Sequence, residues 1–223
     1  MDLKLLYQAI IKYLLGLIIV GVLIFLPAGT INYWNGFLLI LLLFIPIFIV
    51  GFFLMIKNPE LLKKRLNYRE TETEQKKVIL YSSLMFLSGF IIAGLNYRYN
   101  WIKLPYTIII ASSILFLIGY FLYIEVLREN TYLSRIITVE ENQKIIDTGL
   151  YSIIRHPMYA SSILLFLTIP LILGSIISFI IFLSYPLIIA KRIKNEEEIL
   201  EKNLVGYSEY KKKVKYKIIP FIW

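Results

Sequence analysis

The 223-residue chain contains no cysteine and a single histidine. Without cysteine there are no disulfides, thiolate nucleophiles or zinc–thiolate sites, and the redox compartment is left open. One histidine supplies too few ligands for a metal centre made of protein groups alone. The familiar signatures are missing as well: there is no G-x-G-x-x-G, no Walker loop and no H-E-x-x-H. A lone histidine with no matching serine or cysteine motif argues against a hydrolase triad. Tandem repeats of fixed period and low-complexity tracts are also absent.

The sequence is instead rich in apolar residues. They make up 58% of the chain, and mean hydropathy is +0.71. They fall in blocks separated by short charged stretches, the pattern of a polytopic membrane protein. A hydrocarbon core about 30 Å thick needs roughly 20 apolar residues per helix. The predicted spans are 13–29, 36–56, 78–95 and 105–127, followed by an overlong block at 158–190. There "LILGSIIS" places Gly174 and Ser175 near the middle with Pro170 shortly before, so the block divides into short helices 158–173 and 176–194 joined by a tight hairpin. The expected fold is all-α: about six transmembrane helices, with a C-terminal helical hairpin and a cytosolic C-terminal segment. A four-span region (1–127) and a C-terminal region (128–223) are expected to form one integrated domain. Lysines precede the first apolar run, but no A-x-A-like site follows, so the run reads as a retained span.

The net charge of +9 comes from 24 basic and 15 acidic residues. In a membrane protein its plain source is lysine and arginine in cytoplasmic loops, and no nucleic-acid partner is expected. An N-terminus inside puts 22 of the 24 Lys and Arg on one side, leaving only Arg98 and Lys103 opposite. Both termini are therefore expected to be cytoplasmic. The 57–77 stretch reads as a solvated surface helix plus turn with a topological role. Trp34, Tyr97, Tyr99 and Trp101 flank spans as an outer aromatic belt would.

Two polar clusters stand at membrane boundaries, where polar groups are costly. In "TGLYSIIRHPMYASS" (148–162), Pro157 suits a first helical turn, which puts His156 beside unpaired N–H groups and the positive helix end. Such an end attracts anions. Gly149 permits a tight turn, and Tyr151 and Tyr159 add hydroxyl-tipped surfaces. Alone, this stretch reads as a loop–helix junction with an interfacial histidine and a snorkelling Arg155. In "AKRIKNEEEILEKNLVGYSEY" (190–210), Arg192 and Glu196 share a helical face. Alone, this is a solvated helix with Arg–Glu pairing worth about 0.3–0.5 kcal/mol per pair. The hairpin returns both clusters to one boundary. Together they suit a ligand with an amine, a carboxylate and an aromatic base beside a lipid-accessible slot.

G-x-Y-x-x-x-R-H-P-x-Y (Gly149, Tyr151, Arg155, His156, Pro157, Tyr159), R-x-x-x-E-E-x-x-L (Arg192, Glu196, Glu197, Leu200), G-Y-x-x-Y (Gly206, Tyr207, Tyr210) and Ile219-Pro220 occur in that order. The set resembles the isoprenylcysteine carboxyl methyltransferases and their phospholipid-methylating relatives. The stretches 25–34, 57–65 and 126–135 are similar to prokaryotic members. The resemblance implies an integral membrane methyltransferase that uses S-adenosyl-L-methionine. It assigns cofactor contacts to Gln143, Lys144, Ile145, Ile146, Tyr151, His156, Pro157, Met158, Tyr159, Glu196 and Glu197, and a substrate-facing catalytic role to Arg192. It implies that His156 shapes the pocket, and acts as base only if the acceptor is an amine. Met158 stands where eukaryotic members carry serine. The implied partner is a lipophilic small molecule or a prenylated substrate, among membrane lipids. The alternatives are a phospholipid or amine N-methyltransferase, a nicotinamide-dependent lipid or sterol reductase, and a non-enzymatic scaffold or small transporter.

Overall fold

A chain segment in hydrocarbon has no water to bond its backbone, so long apolar runs satisfy their N–H and C=O groups internally as helices. The computed structural model describes residues 3–66, 73–134, 139–141 and 143–223. Parts of the 57–77 and 126–135 stretches therefore lie outside the described residues. The described residues form α1 (Leu3–Ala28), α2 (Trp34–Lys57), α3 (Pro59–Leu66), α4 (Thr73–Tyr99), α5 (Tyr106–Glu129), α6 (Pro157–Ile172), α7 (Ile176–Phe182), α8 (Tyr185–Asn203) and α9 (Tyr207–Lys213). A short 3-10 turn, Gly149–Ser152, precedes α6. No strand occurs among the described residues. Helices α1, α2, α4, α5 and the α7–α8 unit are long and apolar enough to cross a membrane, and α6 is a shorter apolar helix. Only 6% of the apolar window of α1 is buried within the protein, so most of that helix presents hydrocarbon side chains outward, as a lipid-facing helix does.

The helices overrun the predicted spans: α1 begins ten residues earlier than position 13, and α8 continues past 194 to Asn203. Membrane thickness limits the apolar stretch and not the helix, so the charged flanks stay helical. The sixth span also differs, because α7 and α8 are two helices broken at Leu183 and Ser184. Pro186 explains the break: it has no N–H to give the carbonyl of Phe182, and its ring crowds that carbonyl.

The hairpin turns where expected. Gly174 has φ +74°, a conformation open to glycine, and Ser175 caps α7 by accepting from Ser178 N at 3.2 Å. At 16 residues, α6 spans only about 24 Å and would end with bare carbonyls. Side chains from α4 and the start of α2 cover them. Tyr33 donates to Leu173 O, Asn35 to Ile172 O at 2.7 Å, and Asn96 to Gly174 O at 3.4 Å. Gly89 lets α7 lie against α4, since a Cβ there would come within 2.2 Å of the Phe182 ring. The main core joins α1, α2, α4, α5, α6, α7 and α8, and Ile218 of the C-terminal tail enters it.

Helix α3, the described surface helix within the 57–77 stretch, faces outward on one side only. Leu61 and Leu62 of α3 are buried, with Leu62 packed against Leu5 and Met55. Lys64 and Arg65 in the last turn of α3 reach the α5–α6 connection: Lys64 pairs with Glu140, and Arg65 donates to Ser134 O at 3.2 Å. Helix α3 is thus packed into the structure, which its charges alone do not announce.

Candidate active site

The site is built on the junction between the 3-10 turn and α6. Gly149 has φ +50°, and a Cβ at this position would fall 1.3 Å from Glu129 Oε1. Only glycine lets Glu129, at the end of α5, accept from Leu150 N at 3.1 Å. That contact fixes the turn, and the turn sets Tyr151 and the R-H-P segment. The C-terminal tail then adds to the segment like a short strand: Arg155 N donates to Tyr216 O and His156 N to Lys217 O, both at 2.9 Å.

Arg155 is not a snorkelling residue. It is 6% exposed and donates to Glu197 Oε1 at 2.8 Å, to Val214 O at 2.7 Å and to Lys215 O at 2.8 Å. Glu197 also takes Lys217 Nζ at 3.1 Å and His156 Nε2 at 3.1 Å. An ionised carboxylate only accepts, so Nε2 carries the proton in that contact, and in neutral imidazole Nδ1 is left as an acceptor. Nδ1 lies 4.0 Å from Glu196 Oε1. This buried cluster ties α8 and the tail to the start of α6.

Arg192 and Glu196 do not form the plain salt bridge that their spacing suggests. Tyr159, from the first turn of α6, stands between them: Arg192 Nε donates to its hydroxyl at 2.8 Å, and that hydroxyl donates to Glu196 Oε2. The guanidinium also lies 5.9 Å from the Tyr159 ring centroid.

These groups line a half-open cavity of about 110 Å³. Its wall contains Gln143, Lys144, Ile145, Ile146, Tyr151, His156, Met158, Tyr159, Arg192 and Glu196. Ten of the twelve site residues named from the sequence thus share one lining. Pro157 and Glu197 do not. Pro157 is a buried residue in the first turn of α6, and Glu197 points into the ion cluster. The wall also includes Asn130, Ser134, Arg155, Tyr207 and Tyr210, which the site assignment omitted. Asn130 donates to Tyr151 OH at 3.0 Å, and Tyr210 OH donates to Tyr151 O at 2.7 Å, so Tyr151 is held from two sides. The G-Y-x-x-Y motif pointed to Tyr207 and Tyr210 without showing that they reach the cavity.

Tyr207 is the informative omission. It is 4% exposed, and its hydroxyl has no hydrogen-bond partner among the described residues. Burial, then the nearby Glu197 and Glu196 carboxylates, push its pKa well above the ordinary tyrosine value, so it stays a neutral donor. A buried hydroxyl left without a partner in a cavity wall costs stability unless a ligand satisfies it. With the Glu196 carboxylate, the Gln143 amide and the apolar Ile145 and Ile146, the donor set fits a ligand with cationic, hydroxyl and planar aromatic parts. Burial also raises the pKa of Tyr151 and Tyr210.

The loop that closes the cavity is pinned at its edge. Lys213 of α9 pairs with Asp147 at 2.7 Å, which holds the Asp147 carboxyl below its usual range. Gln143 Oε1 accepts from Glu140 N at 2.9 Å.

No curated protein matches the chain. Arg155 through Glu197 lie inside a stretch with a recognisable family, while Arg65, Tyr207 and the tail lie outside it. Residues 108–202 match the model of the isoprenylcysteine carboxyl methyltransferase (ICMT) family, and over that stretch the chain is similar to a membrane methyltransferase.

Proposed function

We propose that the chain is an S-adenosyl-L-methionine-dependent membrane methyltransferase, with its site and both termini on the cytoplasmic side. It would methylate the carboxylate of an isoprenylcysteine-like or other lipophilic acceptor. One observation carries the reading: three separate sequence segments converge on one cavity that also contains the Tyr207 hydroxyl, which has no partner among the described residues. The residues suited to hold the cofactor are Gln143 to Ile146, Tyr151, His156, Met158, Tyr159, Glu196 and Tyr207.

When bound, the cofactor supplies an activated methyl group on a sulfonium. The chain then has to position and exclude water more than move protons. Glu196 accepts from cationic or hydroxyl groups, and Tyr207 donates. Arg192, held by Tyr159, orients the acceptor's carboxylate. A carboxylate acceptor asks the least of these residues. An ammonium must lose a proton before methylation, and His156 Nδ1, left as an acceptor when Nε2 meets Glu197, would be the group to take it. A carboxylate has no proton to lose.

The cavity of about 110 Å³ is smaller than the roughly 300–1,000 Å³ of typical small-molecule sites. Loop 143–147 therefore moves outward to admit the ligand, releasing or stretching the Asp147–Lys213 pair. The test is calorimetry on purified protein in detergent with S-adenosyl-L-methionine and, separately, NADPH. Binding of the first alone supports the proposal. Binding of NADPH alone supports the reductase alternative.

A further inference from the structure

Arg65 lies far from the ICMT-like segment in sequence, yet it reaches the rim of the cavity. Its Nη1 donates to Ser134 O at 3.2 Å and sits 3.7 Å from Met158 Sδ, and both residues line the cavity. Its Nη2 donates to Tyr123 OH, and the guanidinium carbon lies 5.6 Å from the Tyr123 ring centroid. The guanidinium is thus fixed in orientation. All of these partners are neutral, and no carboxylate lies within ion-pair distance of Arg65 among the described residues. A guanidinium has five N–H donors, and these contacts use three, leaving others available.

Position adds to the argument. Met158 and Tyr159 are consecutive in the first turn of α6. Arg65 touches the first and Arg192 bonds the second, so two guanidinium groups flank one helical turn at the cavity wall. Neighbouring Lys64 differs from Arg65. It has an acidic partner, Glu140, and serves as an ordinary clamp between α3 and the loop. A half-buried, oriented cation with no counter-charge among the described residues is suited to receive an anion, and guanidinium matches planar oxyacids through paired bonds.

We infer that Arg65 is the second cation of an acceptor subsite, pairing with the acidic group of the apolar acceptor at the rim of the cavity while Arg192 holds it from the other side of Met158 and Tyr159. The inference rests on the methyltransferase reading for the word acceptor, but the anion subsite stands on Arg65 itself. The chemistry is that of an oxyacid on an apolar chain, whether a carboxylate or a phosphate.

The experiment measures binding of three farnesyl probes to the full chain in detergent without cofactor: a farnesylated cysteine acid, its neutral carboxamide, and farnesyl phosphate. The wild type is expected to bind at least one acid about tenfold or more tighter than the amide. The better acid identifies the source as carboxylate or phosphate. Arg65→Gln should sharply reduce the acid-to-amide preference, the remainder being due to Arg192, and leave amide binding unchanged, and Arg65→Lys should restore only part of the loss. Lys64→Gln, which breaks the clamp, should leave the preference intact. No preference in the wild type overturns the inference. So does an equal loss of acid and amide binding in Arg65→Gln, which would make Arg65 a structural clamp. If Arg65→Gln does not fold, the preference in Arg65→Lys decides: an unchanged preference overturns the inference, and a reduced one supports it. Failure to bind S-adenosyl-L-methionine would sink the methyltransferase reading alone, because these probes are measured without it.

Discussion

Four side chains divide the work of the site, and their variants should separate. His156→Ala removes a group that meets Glu197 and faces Glu196 beside the cavity. Losing a hydrogen bond near a charged ligand costs roughly 1.5–3 kcal/mol, so calorimetry should find S-adenosyl-L-methionine affinity about 10- to 150-fold weaker in a variant of normal size-exclusion behaviour. Tyr159→Phe deletes the hydroxyl that links Arg192 to Glu196. It should therefore raise KM for both cofactor and acceptor, whereas Arg192→Ala acts mainly on the acceptor and Glu196→Gln mainly on the cofactor. Steady-state methyl transfer with each substrate varied in turn checks this; equal, mild effects from all three variants would make the trio structural. Glu197 belongs to a different class. Its side chain and that of Arg155 are 5% and 4% exposed, and Glu197→Ala leaves a buried guanidinium unpaired. The expected loss is about 3 kcal/mol or more of stability, read as a lower unfolding temperature in detergent. At this scale the sequence was informative but coarse. The R-H-P and R-x-x-x-E-E patterns located the cavity, yet the family resemblance placed Glu197 with the ligand contacts. Residues 196 and 197 are adjacent, and only the helix's rotation sends one to the cavity and the other to Arg155.

At the scale of elements, two devices hold the site in shape. The 3-10 turn depends on Gly149, where any Cβ would overlap the Glu129 carboxylate. Gly149→Ala should cost about 1–2 kcal/mol for the left-handed backbone alone, and more from the displaced Leu150 N bond. A drop in unfolding temperature together with lost cofactor binding is expected, and a neutral outcome would show that the turn does not set the cavity. The second device is the Asp147–Lys213 pair on the closing loop. The carboxyl's pKa is lowered by Lys213, so the pair contributes above the unfolded carboxyl pKa of about 3.9 and is lost as pH falls through the lower folded value. Near neutral pH it is fully formed. Asp147→Asn should therefore speed S-adenosyl-L-methionine association at pH 7 in stopped-flow measurements; unchanged association would show that the loop is not the gate. Gly174 and Ser175 were legible as the hairpin because glycine and serine punctuate an apolar block. The break at Leu183 and Ser184 was signalled by Pro186 and went unread, because hydropathy runs unbroken across it. The docking of α3 was hidden too. Two buried leucines in eight residues are too few to outweigh four charges in a pattern, and Leu62 packs against both the start of α1 and the end of α2.

For the whole molecule, the apolar blocks made the helices legible, because a membrane leaves the backbone almost no other choice. Depth and sidedness rest on charge. The 22-to-2 division of Lys and Arg predicts both termini inside. Reporter fusions after residues 31, 67, 100, 140 and 223 should alternate accordingly; an external fusion at 67 or 223 would reverse the orientation. Less legible was the way the C-terminal tail closes the structure: Ile218 enters the main core and residues 216 and 217 pair with the R-H-P segment. Nothing local in a lysine-rich tail announces a strand-like partner some sixty residues back. The central claim is that this convergence builds a methyl-transfer site. The most direct measurement incubates the purified full chain in liposomes with S-adenosyl-L-methionine labelled at the methyl group and a farnesylated cysteine acid. Label should appear in the acceptor as a base-labile ester, and Arg192→Ala and Glu196→Gln should each reduce it. No transfer to the acid, in a protein that binds NADPH and not S-adenosyl-L-methionine, would contradict the account.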